Sequence, residues 1–210
     1  MRALILGASG GTGRELVLQA LARGHAVTAF VRKPSRIHVR DSRLTIAVGD
    51  VRDYPSLDRA VRNQDAVLSA LGHKRWFYPN RILSEGTRNL VRAMEAAAVR
   101  RLVCETALGV ADSWWRMGLY YTLFLTPFIL PFYFYDKKRQ ETVIRESPLD
   151  WTIVRPGILT NGARRGVYRH GSEVGHWLWP SRISRADVAD FMLNQLESAA
   201  YVRSAPGLAW

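Results

Sequence analysis

The chain has 210 residues, 48% apolar and 23% charged, proportions of a folded globular protein that leave out the disordered and fibrous classes. Its net charge of +12 comes from 26 Arg and 4 Lys against 18 acidic residues; these basic residues are scattered, with no zinc-finger spacing or RNA-binding aromatic signature, so no nucleic-acid partner is expected. A single cysteine, Cys104, excludes an intrachain disulfide and multi-cysteine metal sites; no metal is expected, and with a strand starting directly after Arg2 the reading is one cytoplasmic domain over residues 1–210.

Apolar runs bounded by turn residues alternate with helical periodicity. Residues 3–8 read as a first strand, 13–23 as a helix closed by Gly24, and 26–31 as a second strand. A strand at 44–48, a helix near 55–63, a strand at 66–70, a helix near 80–98 and a strand at 101–106 follow. Beyond an aromatic stretch, 136–146 has helical composition, and 151–155 is a strand that Pro156 ends. Short strands are expected at 165–169 and 173–175, a helix over 185–196 and a last strand near 200–204. This alternation implies an α/β fold of Rossmann type, a doubly wound and mostly parallel sheet with helices on both faces.

The first strand runs into Gly7-Ala-Ser9-Gly10-Gly11-Thr12-Gly13. A tight turn, close approach of backbone N–H groups to phosphate oxygens and tight packing of the next helix all require glycine at this spacing, so the segment reads as a pyrophosphate-binding turn. An acidic residue after the second strand would accept from the adenosine ribose of NAD; here the strand runs into Arg32-Lys33-Pro-Ser-Arg36, which suits a 2'-phosphate, and NADP(H) is preferred over NAD(H). Asp50 and Val51 are candidates to hold the adenine, with helix capping as the competing role of Asp50. Ala70, Leu71 and Gly72 end the fourth strand at the carboxyl edge, where ligands of open α/β sheets lie. His73 and Lys74 follow and read mainly as a solvated loop.

Residues 117–135 carry no charge over 19 positions, nearly a membrane-spanning length. Pro127 and Pro131 interrupt it, and the favoured reading is an apolar substrate wall or partner surface over about 112–135, with Trp114, Trp115, Tyr120 and Tyr121 roofing a pocket for a small flat or apolar molecule. Membrane contact is the less favoured reading.

Gly7 to Gly13, Gly49-Asp-Val51, Thr106 to Ser113, Asp136-Lys137, Asp150-Trp-Thr-Ile-Val-Arg-Pro-Gly157 and Ile183 to Ala189 together resemble the atypical short-chain dehydrogenase/reductases, in particular the small NAD(P)H-binding branch that includes biliverdin-IXβ/flavin reductases and nitrogen-repressor-like proteins. The resemblance implies that Thr106 occupies the place of a Ser or Thr beside the nicotinamide, and that Pro156, Gly157 and Ile158 line the nicotinamide and its ribose. Conventional members use Tyr-x-x-x-Lys on one helix face, where the ammonium makes the phenol a better proton donor to a carbonyl receiving hydride. Tyr133 and Lys137 have that spacing, although chance in an aromatic-rich stretch is a competing explanation; Tyr135 with Lys138 is an alternative pair, and Asp136 reads as a helix N-cap.

The expected activity is an NADPH-dependent oxidoreductase passing hydride to an apolar, ring-containing carbonyl, quinone or flavin, in a monomer or homodimer. The alternatives are a non-catalytic NADP-binding sensor and an isomerase or cyclase on the same fold.

Overall fold

The computed structural model describes residues 1–73, 78–126 and 130–210. The first half follows the expected alternation: β1 Arg2–Leu6, α1 Gly11–Ala22, β2 Ala26–Val31, β3 Leu44–Val48, α2 Tyr54–Val61, β4 Ala66–Ser69, α3 Ile82–Ala96 and β5 Arg101–Glu105. After the aromatic stretch come α4 Pro131–Glu146, β6 Asp150–Pro156, β7 Ile158–Thr160, β8 Arg169–Gly171, β9 Arg182–Ser184, α5 Arg185–Glu197 and β10 Gly207–Ala209. Eight strands form one sheet in the order β3-β2-β1-β4-β5-β6-β10-β8. All neighbours are parallel except β10 with β8, and the first six strands have the Rossmann order, which reverses between β1 and β4.

Each face of the central strands is apolar and covered. Leu16, Val17 and Leu21 of α1 and Val188, Met192 and Leu193 of α5 bury one side. Leu57 and Val61 of α2, Leu90 and Met94 of α3 and Ile144 of α4 bury the other. Gly24, in the left-handed conformation at φ +82°, ends α1, as the sequence suggests.

Several short elements differ from expectation. The expected strand at 165–169 begins only at Arg169, because Asp187 accepts from the backbone N–H groups of Arg165 and Gly166 at 2.8 and 2.9 Å and holds them in a loop. Residues 173–175 form a turn closed from the Val174 N–H to the Gly171 carbonyl, with Gly175 at φ +120°. At 200–204 the chain also turns, with Arg203 at φ +55°, and the final strand forms at 207–209 after Pro206. Strands β7 and β9, which pair with each other in parallel, are absent from the sequence reading. Helix α4 starts five residues early, at Pro131, whose fixed φ suits a first helical turn.

Candidate cofactor and active site

The carboxyl edge of β1 is a cradle without room for side chains. Gly7 is left-handed at φ +74°, and a Cβ there would lie 2.4 Å from the Ala70 carbonyl oxygen, so the turn and the end of β4 lie side by side. At Gly13 a Cβ would lie 2.1 Å from the Gly7 carbonyl oxygen. The turn closes through the Gly10 N–H to the Gly7 carbonyl at 2.8 Å. Helix α1 has Gly10 as its N-cap, with no side-chain cap and no acidic residue in its first turn. Its leading N–H groups and positive dipole end therefore match the pyrophosphate of a dinucleotide. Gly11 is exposed and Ser9 half-buried in this turn, while the Thr12 hydroxyl points inward and donates to Glu105 at 3.1 Å.

Arg32 and Lys33 are exposed just past β2. Arg14 and Arg36 come together from α1 and the loop beyond, lining a shared cavity of about 210 Å³ beside Ala8. Asp50 is held by Arg52, which reaches it from the backbone N–H and the guanidinium at 2.9 and 3.3 Å, and this pairing, aided by Arg32, holds its carboxyl below the usual range. Val51 is buried against Gly86.

The early start of α4 places Tyr133 and Lys137 one turn apart on one helix face. The Lys137 ammonium is 2% exposed, donates to the Glu105 carbonyl at 3.4 Å and lies 5.3 Å from the centre of the Tyr133 ring. Burial works to lower its pKa, but Tyr133, Glu105 and Cys104 outweigh that, and the net direction is upward. The Tyr133 hydroxyl faces Gly72, and its ring meets His73 edge-on at 5.0 Å. Tyr135 points outward, 57% exposed, and accepts from Arg139 at 3.0 Å; Lys138 is also exposed. Lys74 lies outside the described residues.

Asp136 caps a different helix from the one expected. It accepts from the Leu83 and Ser84 N–H groups at 2.9 and 3.1 Å and so caps α3 from α4, fixing the helix that carries Tyr133 and Lys137. The Thr106 hydroxyl donates to the buried Glu141 at 2.8 Å. Glu141 is paired in turn with Arg155, which also grips Asp112 at 2.7 and 3.1 Å. Pro156 and Gly157 are buried at the end of β6, and a Cβ on Gly157 would lie 2.4 Å from the Ser181 carbonyl oxygen; Ile158 is half-buried and donates its N–H to that carbonyl at 2.8 Å.

Two residues reach the cradle without a sequence signal. Glu105 is buried at the end of β5 between Thr12 and Lys137, and burial raises its carboxyl pKa against the opposing pull of Lys137, Thr12 and Arg185. Arg185, the first residue of α5, lays its side chain over Gly11 and donates to Asn161 at 2.6 Å. With Arg14 it lines a second cavity of about 180 Å³ at the turn.

The Arg155–Glu141 pair also yields a stability prediction. Arg155→Met leaves the buried Glu141 with only the Thr106 hydroxyl and the more distant Arg145 at 3.9 Å and should cost about 3 kcal/mol, whereas Arg155→Met/Glu141→Met should recover most of it; chemical denaturation of the three proteins measures this. The hydrogen bond from Arg155 holds the Asp112 carboxyl down to about 2. A lowered carboxylate contributes stability above its unfolded pKa and loses it as pH falls through the folded one, so Asp112→Asn should flatten the acid limb between about pH 4 and pH 2.

A family model described as NAD(P)H-binding matches residues 7–199. An uncharacterised chloroplast protein of Arabidopsis thaliana is 32% identical over 206 residues, covering 93% of this chain and 71% of that protein. A (4-alkanoyl-5-oxo-2,5-dihydrofuran-3-yl)methyl phosphate reductase of Streptomyces griseus is 27% identical over 97% of this chain and 67% of its own length. A solved short-chain dehydrogenase/reductase of Veillonella parvula, in complex with NADP, shares the fold at a TM-score of 0.81, with 20% identity over 100% of this chain and 94% of that one. The chain thus belongs to the NAD(P)H-binding family, and its sheet is of Rossmann type.

Proposed function

We propose that this chain is a single-domain, NADPH-dependent reductase of an apolar, ring-containing carbonyl, quinone or flavin. The observation that carries the reading is the placing of Tyr133 and Lys137 on one face of α4, beside the glycine cradle and the carboxyl ends of β4 and β5. Gly7, Ser9, Gly10, Gly11, Thr12 and Gly13 would hold the pyrophosphate through their backbone, with Arg185 above it. Arg32 and Lys33, joined by Arg14 and Arg36, would hold the 2'-phosphate. Asp50 and Val51 would flank the adenine, while Ala70 to Gly72 and Pro156 to Ile158 would border the nicotinamide end. When bound, NADPH supplies the hydride.

Tyr133 gives its proton to the oxygen of a carbonyl or quinone, or to a ring nitrogen of a flavin, and solvent restores it. The Lys137 ammonium, held at the Glu105 carbonyl, stabilises the phenolate left behind and offers its remaining donors to ribose hydroxyls. Thr106 then acts through its backbone and its link to Glu141, as a positioning residue. A single cysteine, Cys104, leaves no intrachain disulfide to form and suits a reducing compartment, the cytoplasm.

Arg32→Ser/Lys33→Ser tests the cofactor choice. Hydrogen bonds to a charged group contribute roughly 1.5–3 kcal/mol each, so NADPH affinity should fall by tenfold or more while NADH affinity stays level, as read by fluorescence titration. Equal losses for both cofactors would make the cluster a general basic surface. Comparing Tyr133→Phe with the parent tests the chemical half.

A further inference from the structure

The described part of the aromatic segment lies largely open to solvent. Trp114, Trp115, Tyr120 and Phe124 are 60%, 45%, 60% and 56% exposed, although the sequence suggests that the tryptophans and Tyr120 cover a ligand. A second exposed pair, Trp177 and Trp179, lies on the same surface: the Leu119 N–H donates to the Leu178 carbonyl at 3.4 Å, and the Gly118 backbone packs on Trp179 and Pro180. Most of the exposed large apolar side chains among the described residues fall in 114–135 and 177–179, and exposed apolar surface gathered in this way marks a contact site.

The surroundings of the patch are basic. Arg116 lies over the Trp115 ring at 4.9 Å and Arg139 over the Tyr135 ring at 4.4 Å. Lys138 and Arg182 are exposed at its margins. The acidic residues beside it, Glu173 and Asp112, are both paired with arginines, Glu173 with Arg116 and Asp112 with Arg155 and Arg145. The whole chain carries +12.

We propose that this face docks on an anionic lipid bilayer, with tryptophan and tyrosine rings at headgroup depth and the arginine and lysine heads on lipid phosphates. Indole and phenol rings are suited to the boundary between water and hydrocarbon, and juxtaposed basic residues supply the attraction to anionic lipid. A protein surface would match the apolar area but would leave the excess of basic over acidic residues at the margin without a partner. Among the described residues no helix is long and apolar enough to cross a membrane, so the contact is one of lying on the surface. Phe132, also exposed, precedes Tyr133 in the first turn of α4, which would let a lipid-dissolved acceptor approach Tyr133 from the docked side. That purpose rests on the reductase reading, whereas the docking does not.

The test is flotation of the full chain with mixed phosphatidylcholine–phosphatidylglycerol vesicles and with pure phosphatidylcholine vesicles. The chain should float with the mixed vesicles, partition roughly tenfold less into the neutral ones, and be released by high salt. Trp177→Ser/Trp179→Ser should lose binding by a similar factor, with NADPH affinity and thermal unfolding unchanged. Brominated lipids should quench the parent's tryptophan fluorescence, a readout that needs no variant. Absence of flotation, or equal and salt-insensitive binding to both vesicles, would overturn the proposal. So would a dimer in sedimentation equilibrium that the double variant dissociates and that ignores vesicles, since the face would then belong to a second copy of the chain.

Discussion

A Tyr133→Phe protein should bind NADPH as the parent does and turn its acceptor over about 10²–10⁴ times more slowly, the usual worth of a positioned proton donor. The ring stays packed against His73 and only the hydroxyl facing Gly72 is lost, so the effect belongs on kcat rather than on folding. Lys137→Met should be at least as slow and should also weaken NADPH, because on the proposed reading the ammonium, which lies between the Glu105 carbonyl and the Tyr133 ring, would donate to both the phenolate and the ribose hydroxyls. Steady-state kinetics with a cofactor titration separate the two. Unchanged turnover in Tyr133→Phe would assign the ring to packing, and unchanged physiological function with no turnover in either protein would favour a dinucleotide sensor.

Gly13→Ala should cost roughly 100-fold or more in NADPH affinity, about 2.8 kcal/mol at 1.4 kcal/mol per tenfold. The added methyl group would sit 2.1 Å from the Gly7 carbonyl oxygen and 2.8 Å from the Ala8 Cα. Both are backbone atoms, so relief requires α1 to move away from the turn, taking its N–H groups out of reach of the pyrophosphate. Gly24→Ala is the matched control. Gly24 also has a positive φ, +82°, but nothing lies nearer than 3.9 Å to its added Cβ, so the change should cost about 1–2 kcal/mol of stability and leave NADPH affinity alone. Isothermal titration and denaturation of both variants make the comparison, and equal NADPH affinities would place the cofactor elsewhere.

The fold was legible up to residue 106 because its signals are local. Buried parallel strands, the glycine turn and Gly24 each declare themselves over a few neighbouring residues. Beyond Pro156 only the helix over 185–196 was legible, since β7, β9 and β10 are three-residue strands formed by distant pairing, and the loop before β8 is shaped by Asp187, some twenty residues away. The candidate site shows the same divide. Tyr133 and Lys137 could be found from their spacing, and the structure places them together. That Asp136 caps α3, that Thr106 turns to Glu141, and that Glu105 and Arg185 reach the glycine turn follow from contacts between elements far apart in the chain, for which no spacing rule exists.

The most direct test of the account is NADPH consumption, followed at 340 nm, by the purified protein with a panel of apolar quinones, flavins and cyclic ketones, NADPH binding being measured on the same sample. The account predicts oxidation of NADPH with at least one of these acceptors and its loss in Tyr133→Phe. Saturable NADPH binding with no oxidation by any acceptor would contradict it.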